Sequence, residues 1–251
     1  MGAQAEKPQV LVIVHDLDDN VNELAVPLVE AGVRLVTRDV QNDFSSMPSL
    51  ELLDAVSGIV SLGAHAGVLD EPQHEWMQYE RTIMERALER EIPLLGLCFG
   101  AQLLASVAGG DFRPSPVTEV GWTRVSMAPE ARADPVFSVL EREIDAFHFH
   151  YDSYTLPQSV AVLGETDGII QAFRVGRAAW ATQFHLEVGL SQQLAWLTTY
   201  KRLFEKEGVV ISEQITKSHE LWKSYREQAY RVGTAFASQV HDFADRRSSS
   251  R

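Results

Sequence analysis

The chain has 251 residues, 45% hydrophobic and 23% charged, which is the balance of an ordinary globular protein. Its formal net charge of −13 argues against binding to nucleic acid or to an anionic membrane, because both need clustered Lys and Arg. A single cysteine cannot form an internal disulfide, so nothing points to an oxidising compartment. Residues 1–8 lack a signal-peptide pattern, and no apolar run reaches the ~20 residues of a membrane span. We therefore expect a cytoplasmic protein.

Strands and helices alternate over the first part of the chain. Apolar runs predict strands at 9–14, 33–40, 58–63 and 93–98. Helices are predicted at 21–31, 50–56, 72–91 and 101–108. This alternation predicts an α/β fold with a doubly wound, mostly parallel sheet and helices on both faces. Ligand sites of such sheets lie at the carboxyl ends of the strands.

Short β-like segments separated by Pro and Gly follow the first part. They lie at 120–126, 146–150, 160–164, 168–175 and 178–184. We interpret them as a small antiparallel extension of the same domain. A helix predicted at 190–204 would pack back on the sheet.

The C-terminal segment predicts one long amphipathic helix. From Ser212 to about Phe243, apolar residues recur at helical spacing and form a single stripe. The stripe fits either a helix docked on the core or an interface with a second copy or another partner. The chain is thus divided into a domain at 8–207, a helical extension at 208–246 and a disordered tail at 247–251.

Cys98 is the only cysteine, and it lies in the segment Gly96-Leu97-Cys98-Phe99-Gly100. A buried strand is predicted before this segment and a helix after it. Gly-x-Cys-x-Gly at such a junction is the cysteine version of a nucleophile elbow, in which the glycines permit a sharp turn. The N-terminus of the following helix also favours a thiolate. A lone cysteine more often fills a core, but a core cysteine does not need flanking glycines. We therefore predict a nucleophile.

His185 and Glu187 are the candidate partners of this cysteine. Among the eight histidines, His185 stands at the end of a predicted strand with Glu187 two residues later. A carboxylate beside an imidazole orients the ring and stabilises its protonated form, which completes a nucleophile–base–orienter triad with Cys98. The alternative is a chance polar pair in a loop.

A metal site is the rival interpretation of the same histidines. His148 and His150 project from one face of a predicted strand, and His185 and Glu187 could supply further ligands to a divalent ion. Alternatively, His148 and His150 are structural. Our prediction contains neither a metal nor a cofactor.

Together these residues resemble the class I (triad) glutamine amidotransferases over roughly residues 8 to 207. The segments Gly96–Gln102 and Gln183–Glu187 are similar to the nucleophile and His/Glu motifs of the family. Gly63-Ala64-His65 stands at the position of its Gly-Gly-Pro oxyanion strand. Glu119–Trp122 and His150–Asp152 match two further landmarks. The resemblance implies a flavodoxin-like fold and a free-standing member without a fused synthetase.

The resemblance also implies a mechanism. Cys98 would attack the γ-carbonyl of glutamine or of another γ-glutamyl small molecule and form a thioester, which water then hydrolyses to glutamate. His185 would act as the base and acid, and Glu187 would orient it. The oxyanion would be stabilised by the backbone N–H groups of Gly63 and Phe99. The amino-acid part of the substrate would be held by Gln102, His150 and Tyr151.

The chain departs from the family pattern at two positions. Gly63-Ala64-His65 replaces Gly-Gly-Pro, and the absent proline predicts a looser loop; Leu186 stands where proline is usual. Three functions stay open. The first is a glutaminase that supplies ammonia to a separate synthetase, because no Gly-x-x-x-x-Gly-Lys-Ser/Thr loop is present in the sequence. The second is a stand-alone γ-glutamyl peptidase or amidase, and the third is a binding or regulatory module.

Overall fold

The fold is built on one mixed β-sheet. The computed structural model describes residues 7–41 and 50–249 of the chain. Its strands are β1 Gln9–Val14, β2 Arg34–Asp39, β3 Gly58–Ser61, β4 Leu94–Leu97, β5 Phe112–Met127, β6 Glu143–Tyr154, β7 Ala161–Thr166, β8 Ile169–Val175 and β9 Ala179–Thr182. Its α-helices are α1 Asn22–Glu30, α2 Glu75–Glu89, α3 Phe99–Val107, α4 Leu190–Thr199, α5 Lys201–Lys206 and α6 Ile211–Ser249. The strands lie in the order β2-β1-β3-β4-β9-β8-β7-β5-β6.

Five neighbouring strands form the parallel part of the sheet. Strands β2, β1, β3, β4 and β9 pair in parallel, as their continuous apolar sequences predict. Alternate residues of β1 face two separate apolar clusters. Val10 and Val12 pack with residues of α1 and α6, whereas Leu11 and Ile13 pack with residues of α2 and α3. Helices therefore cover both faces, and the prediction of a doubly wound α/β fold is confirmed.

The antiparallel extension continues the same sheet beyond β9. Strands β8, β7, β5 and β6 pair antiparallel, which places them in the same unit as the parallel strands. The register between β5 and β6 shifts between Pro114 and Glu119, in a segment where proline has no N–H to donate to the ladder. The helix expected at 190–204 is two helices, α4 and α5, which separate at Tyr200.

Helix α6 docks its apolar stripe on the core of the chain itself. Ala229, Val232 and Phe236 are fully buried and belong to the cluster that covers one face of the sheet. At Gly233 the helix passes so close to α1 that an added Cβ would lie 2.4 Å from the Cγ atom of Pro27. The stripe that suggested an oligomer interface is thus used inside the molecule.

The C-terminal end of α6 differs from the expected tail. The tail was placed at 247–251, but the helix continues to Ser249. The reason is Arg247, whose guanidinium donates hydrogen bonds to the carbonyl oxygens of Asp54 at 3.0 Å and Val56 at 2.8 Å. Residues 250 and 251 lie outside the described part of the chain, as do residues 1–6. None of the helices within the described ranges has the length and apolar character to cross a bilayer.

Candidate active site

Cys98 lies at the turn between β4 and α3. Its backbone has φ 50° and ψ −103°, a conformation that residues other than glycine rarely adopt. Its N–H donates to the carbonyl oxygen of Thr182 on β9 at 2.9 Å, which holds the turn against the neighbouring strand. The side chain is 6% exposed. This strained strand–turn–helix geometry is that of a nucleophile elbow.

The two flanking glycines act through close packing and not through their own backbone angles. Neither Gly96 nor Gly100 has a positive φ; the strained residue is Cys98 itself. A Cβ at Gly96 would lie 2.6 Å from the carbonyl oxygen of Gly100, and a Cβ at Gly100 would lie 2.4 Å from that of Ser61. The glycines therefore allow the start of α3 to lie directly on β3 and β4.

His185 and Glu187 form a buried hydrogen-bonded pair beside the elbow. The Nδ1–H of His185 donates to Oε1 of Glu187 at 2.6 Å, and Oε2 of Glu187 accepts the Leu186 N–H at 2.8 Å. The two side chains are 2% and 0% exposed. The backbone N–H of His185 donates to the carbonyl oxygen of Phe147 at 2.9 Å, which fixes the segment against β6.

The electrostatics of this pair favour a protonated ring. Burial alone lowers the pKa of His185, but the Glu187 carboxylate and the Cys98 sulfur raise it well above its ordinary value. The Nε2 atom is buried on the side of the ring away from Glu187, and an interaction with the Cys98 sulfur contributes to the raised pKa of the ring.

Gly63 lies where the sequence places the oxyanion strand, but its N–H is already engaged. An added Cβ at Gly63 would lie 3.3 Å from Cε1 of His185 and 3.7 Å from Cβ of Cys98. The Gly63 N–H donates to Oδ2 of Asp19 at 2.9 Å. The Gly63 carbonyl oxygen accepts a hydrogen bond from Nδ1 of His15, also at 2.9 Å. Sequence reasoning missed both Asp19 and His15, although they follow β1 at the carboxyl edge of the sheet.

The segment after Gly63 is tied to the loop between β1 and α1. The His65 N–H donates to Oδ2 of Asp16 at 2.8 Å. Its Nε2 lies 2.9 Å from Oδ1 of Asp18 and 3.1 Å from the Tyr200 hydroxyl. Ala64 is absent from the described non-glycine residues with positive φ, so it fits here without left-handed strain. The hydrogen bonds of His65 attach this loop to its neighbours, and the effect of the missing proline on its mobility stays a prediction.

A cavity of about 230 Å³ opens above Cys98. It brings together all but two of the site residues predicted from the sequence: Gly63, Cys98, Gln102, His150, Tyr151 and His185. Glu187 lies behind His185. Phe99 directs its ring away from the cavity toward Trp76, with 5.4 Å between ring centroids. Its N–H belongs to the first turn of α3, where backbone N–H groups lack intrahelical acceptors.

The structure divides the residues of the rival metal interpretation between two clusters. His185 and Glu187 lie with Asp19, whereas His148 and His150 lie with Glu119. Burial lowers the pKa of His150 to about 3 and that of His148 well below its usual value, so both rings are neutral.

The second cluster forms a hydrogen-bonded chain. Nδ1 of His148 lies 3.2 Å from Nε2 of His150, and Nδ1 of His150 lies 3.2 Å from the Asp152 carbonyl oxygen. Because that carbonyl can only accept, Nδ1 of His150 carries the proton and Nε2 accepts. These contacts fix the strand that carries Tyr151 at the cavity wall.

The site thus combines a cysteine at a strand–turn–helix elbow with a buried histidine–carboxylate pair, at one edge of a doubly wound α/β sheet. The family described as glutamine amidotransferase class-I matches residues 14–199. The chain belongs to this family, whose members generally cleave amide bonds.

Relatives of known name differ in their overall length. A glutamine-hydrolyzing GMP synthase of Porphyromonas gingivalis is 32% identical over 147 residues, which are 57% of this chain and 27% of the relative. A gamma-glutamyl-L-1-hydroxyisopropylamide hydrolase of a Pseudomonas species is 27% identical over 165 residues, 62% of this chain and 55% of the relative. The matched regions thus span about a quarter to about half of these relatives.

The structure of a glutamine amidotransferase from Thermotoga maritima shows the same fold. It superposes with a TM-score of 0.81 at 24% identity, covering 92% of this chain and 99% of that one. The agreement includes the antiparallel extension, because nearly all of both chains is matched.

Proposed function

We propose that this protein hydrolyses the γ-amide of glutamine through a γ-glutamyl thioester on Cys98 and supplies the ammonia to a separate acceptor enzyme. The observation that carries the proposal is the buried pair of His185 and Glu187, 2.6 Å apart, beside a strained cysteine whose sulfur raises the pKa of the same ring. Membership of the amidotransferase family supports an amide as the bond that is cleaved.

The steps balance with the groups present. In the starting state Nε2 of His185 already holds the proton of the Cys98 thiol. The thiolate sulfur attacks the γ-carbonyl carbon, and a tetrahedral oxyanion forms. The same nitrogen protonates the leaving amine, which departs as ammonia and leaves the thioester. Water, deprotonated by His185, then attacks the thioester and releases glutamate and the thiol. Glu187 keeps the ring oriented throughout.

The oxyanion needs backbone donors, and two would serve. The Phe99 N–H follows the nucleophile directly at the N-terminus of α3, and the Gly63 N–H, which donates to Asp19 in this structure, would act from the oxyanion strand. In other enzymes, one such donor contributes roughly 2.7–4 kcal/mol to the stability of the transition state. Gln102, His150 and Tyr151 line the cavity where the amino-acid part of the substrate would lie.

A second candidate is a γ-glutamyl amidase that acts alone. Two observations favour it. The apolar stripe of α6, which the sequence also offered as an interface with another partner, is buried in the core of the chain itself. In addition, one relative is named as a hydrolase of a γ-glutamyl amide. Both candidates share the same thioester chemistry and differ only in the amine that leaves.

Covalent labelling tests the shared chemistry. A glutamine-like chloroketone should give one adduct by intact mass, blocked by excess glutamine and absent from the Cys98→Ala variant. The His185→Ala variant should label far more slowly, whereas His219→Ala, which removes an exposed histidine from α6, should label like the wild type. If the folded wild-type protein shows no adduct, the thiol mechanism is wrong.

Product analysis separates the two candidates. Glutamate release should be measured with glutamine and with a series of γ-glutamyl amides of larger amines. A glutaminase should prefer glutamine and respond to an acceptor enzyme recovered with the native protein. A stand-alone amidase should prefer the larger amides and show no such response.

A further inference from the structure

Asp19 makes an unusual contact within the candidate active site. Its Oδ2 atom accepts the Gly63 N–H at 2.9 Å, and its Oδ1 atom is buried with no hydrogen-bond partner among the described residues. The side chain is only 4% exposed and lines the cavity above Cys98. A carboxylate oxygen with no hydrogen bond is costly to bury, so its position requires an explanation.

On balance, the surroundings of Asp19 disfavour the charged form of its carboxyl group. Ligand atoms of Asp19, His185 and Glu187 all lie within 4.8 Å of one another. Burial and the nearby charge of Glu187 raise the pKa of Asp19, although His185 and the Gly63 N–H act in the opposite direction. The carboxyl group is thus held by one backbone donor beside a second buried carboxylate.

That one donor is also the group that the reaction needs. An effective oxyanion donor lies about 2.7–3.1 Å from the oxygen that carries the developing charge. Oδ2 of Asp19 already lies at this distance from the Gly63 nitrogen. The N–H therefore cannot serve the carboxylate and the substrate oxygen with full strength at the same time.

We propose that Asp19 occupies the Gly63 oxyanion donor in the resting protein and that the γ-carbonyl oxygen of the substrate displaces it. The contact between Asp19 and the Gly63 N–H would thus be autoinhibitory, because it blocks an oxyanion donor. This proposal rests on the proposed function. Because only the carboxyl group competes, removing it leaves the Gly63 donor free for the substrate.

The displacement requires movement of the side chain and not of the whole loop. The neighbouring residues Asp16 and Asp18 bind the His65 backbone and ring. Asp18 also accepts hydrogen bonds from Trp196 and Tyr200. These contacts hold the loop between β1 and α1 in place, so the Asp19 carboxyl group leaves Gly63 by rotation of its own side chain.

Two alkylating probes test the proposal. A glutamine-like chloroketone reacts through a tetrahedral adduct whose oxygen uses the oxyanion donor, whereas iodoacetamide alkylates a thiol by direct displacement without that charge. We expect Asp19→Ala to raise the chloroketone rate constant about tenfold, which corresponds to removal of one charge-assisted competitor. The iodoacetamide rate should change by less than about twofold.

Two further variants complete the test. Asp19→Asn keeps a weaker acceptor at the same place and should give an intermediate increase, which provides a result if the alanine variant does not fold. Asp16→Asn removes one charge from the same loop, leaves the Gly63 contact intact and should not reproduce the increase. An unchanged or lower chloroketone rate in both Asp19 variants, with normal iodoacetamide labelling, would overturn this inference alone. Failure of both probes to modify wild-type Cys98 would instead overturn the proposed function.

Discussion

The Glu119→Gln variant should change how the stability of this protein depends on pH. Glu119 is 4% exposed, and its Oε1 and Oε2 atoms accept hydrogen bonds from Nε2 of Gln171 at 2.9 and 2.8 Å. Oε2 also lies 3.3 Å from Nε2 of His150, which carries no proton in the neutral ring described above. The lone pairs of Oε2 of Glu119 and Nε2 of His150 therefore face each other and repel, which disfavours the ionised form of Glu119.

The sign of the effect follows from the raised pKa. Burial raises the pKa of Glu119 from 4.5 to about 7, although the Gln171 hydrogen bonds act against this rise. The folded chain therefore binds this proton more tightly than the unfolded chain. The free energy of unfolding falls as the pH rises from about 4.5 to about 7 and stays lower above that pH. At about 1.4 kcal/mol for each unit of pKa difference, the loss is at most about 3 kcal/mol.

His150 contributes the opposite dependence, so the wild-type profile alone would mislead. Because burial lowers the pKa of His150 to about 3, its contribution to stability is complete above about pH 6.5 and is lost as the pH falls toward 3. His150 contributes to the free energy of unfolding of both proteins, so its contribution cancels when the wild-type value is subtracted from that of Glu119→Gln. The pH dependence that remains is the cost of ionising Glu119.

Urea unfolding at pH 5 and pH 8 measures that difference. Relative to the wild type, the free energy of unfolding of Glu119→Gln should rise by about 1–3 kcal/mol between the two pH values. The control Glu130→Gln, at an exposed position, should show no such rise. A difference that is constant or falls with pH would refute the reasoning.

Three further variants test packing and mechanism. Gly100→Ala forces a Cβ to within 2.4 Å of the Ser61 carbonyl oxygen and should lower the free energy of unfolding by about 1–3 kcal/mol, measured in urea. Glu187→Gln should slow chloroketone labelling of the cysteine at least about tenfold with an unchanged circular dichroism spectrum, because the imidazolium loses its carboxylate partner. Phe236→Ala, at a fully buried position, should cost about 3–5 kcal/mol of stability in urea.

The parallel sheet could be predicted because its signals are local. The strand expected at 9–14 is β1 itself, and the elbow at Cys98 lies between β4 and α3 as predicted. A continuous apolar run bounded by polar residues predicts a strand that is buried on both faces, and this prediction needs no information about which strands lie beside it. Cys98 and His185 could be predicted as candidates for the same reason, since each stands at the end of a predicted strand, and Glu187 follows two residues after His185.

The contacts that tune the site could not be predicted, because they join residues distant in sequence. Asp19 meets Gly63 across 44 positions, and Gln171 meets Glu119 across 52. Nothing in the sequence around either residue reports its partner. The apolar stripe of α6 shows the same limit, because its periodicity defines a buried face but not whether the chain itself or a partner covers it.

The replacement of proline by His65 in the Gly-Gly-Pro motif is structurally connected to the contact between Asp19 and Gly63. A proline at position 65 could not donate the N–H that binds Asp16, and it has no ring nitrogen to reach Asp18. His65 supplies both interactions and thereby attaches the oxyanion strand to the loop that carries Asp19. The same loop then places a carboxyl group on the Gly63 N–H. In the proposed autoinhibition, His65 therefore anchors the loop from which Asp19 occupies the oxyanion donor.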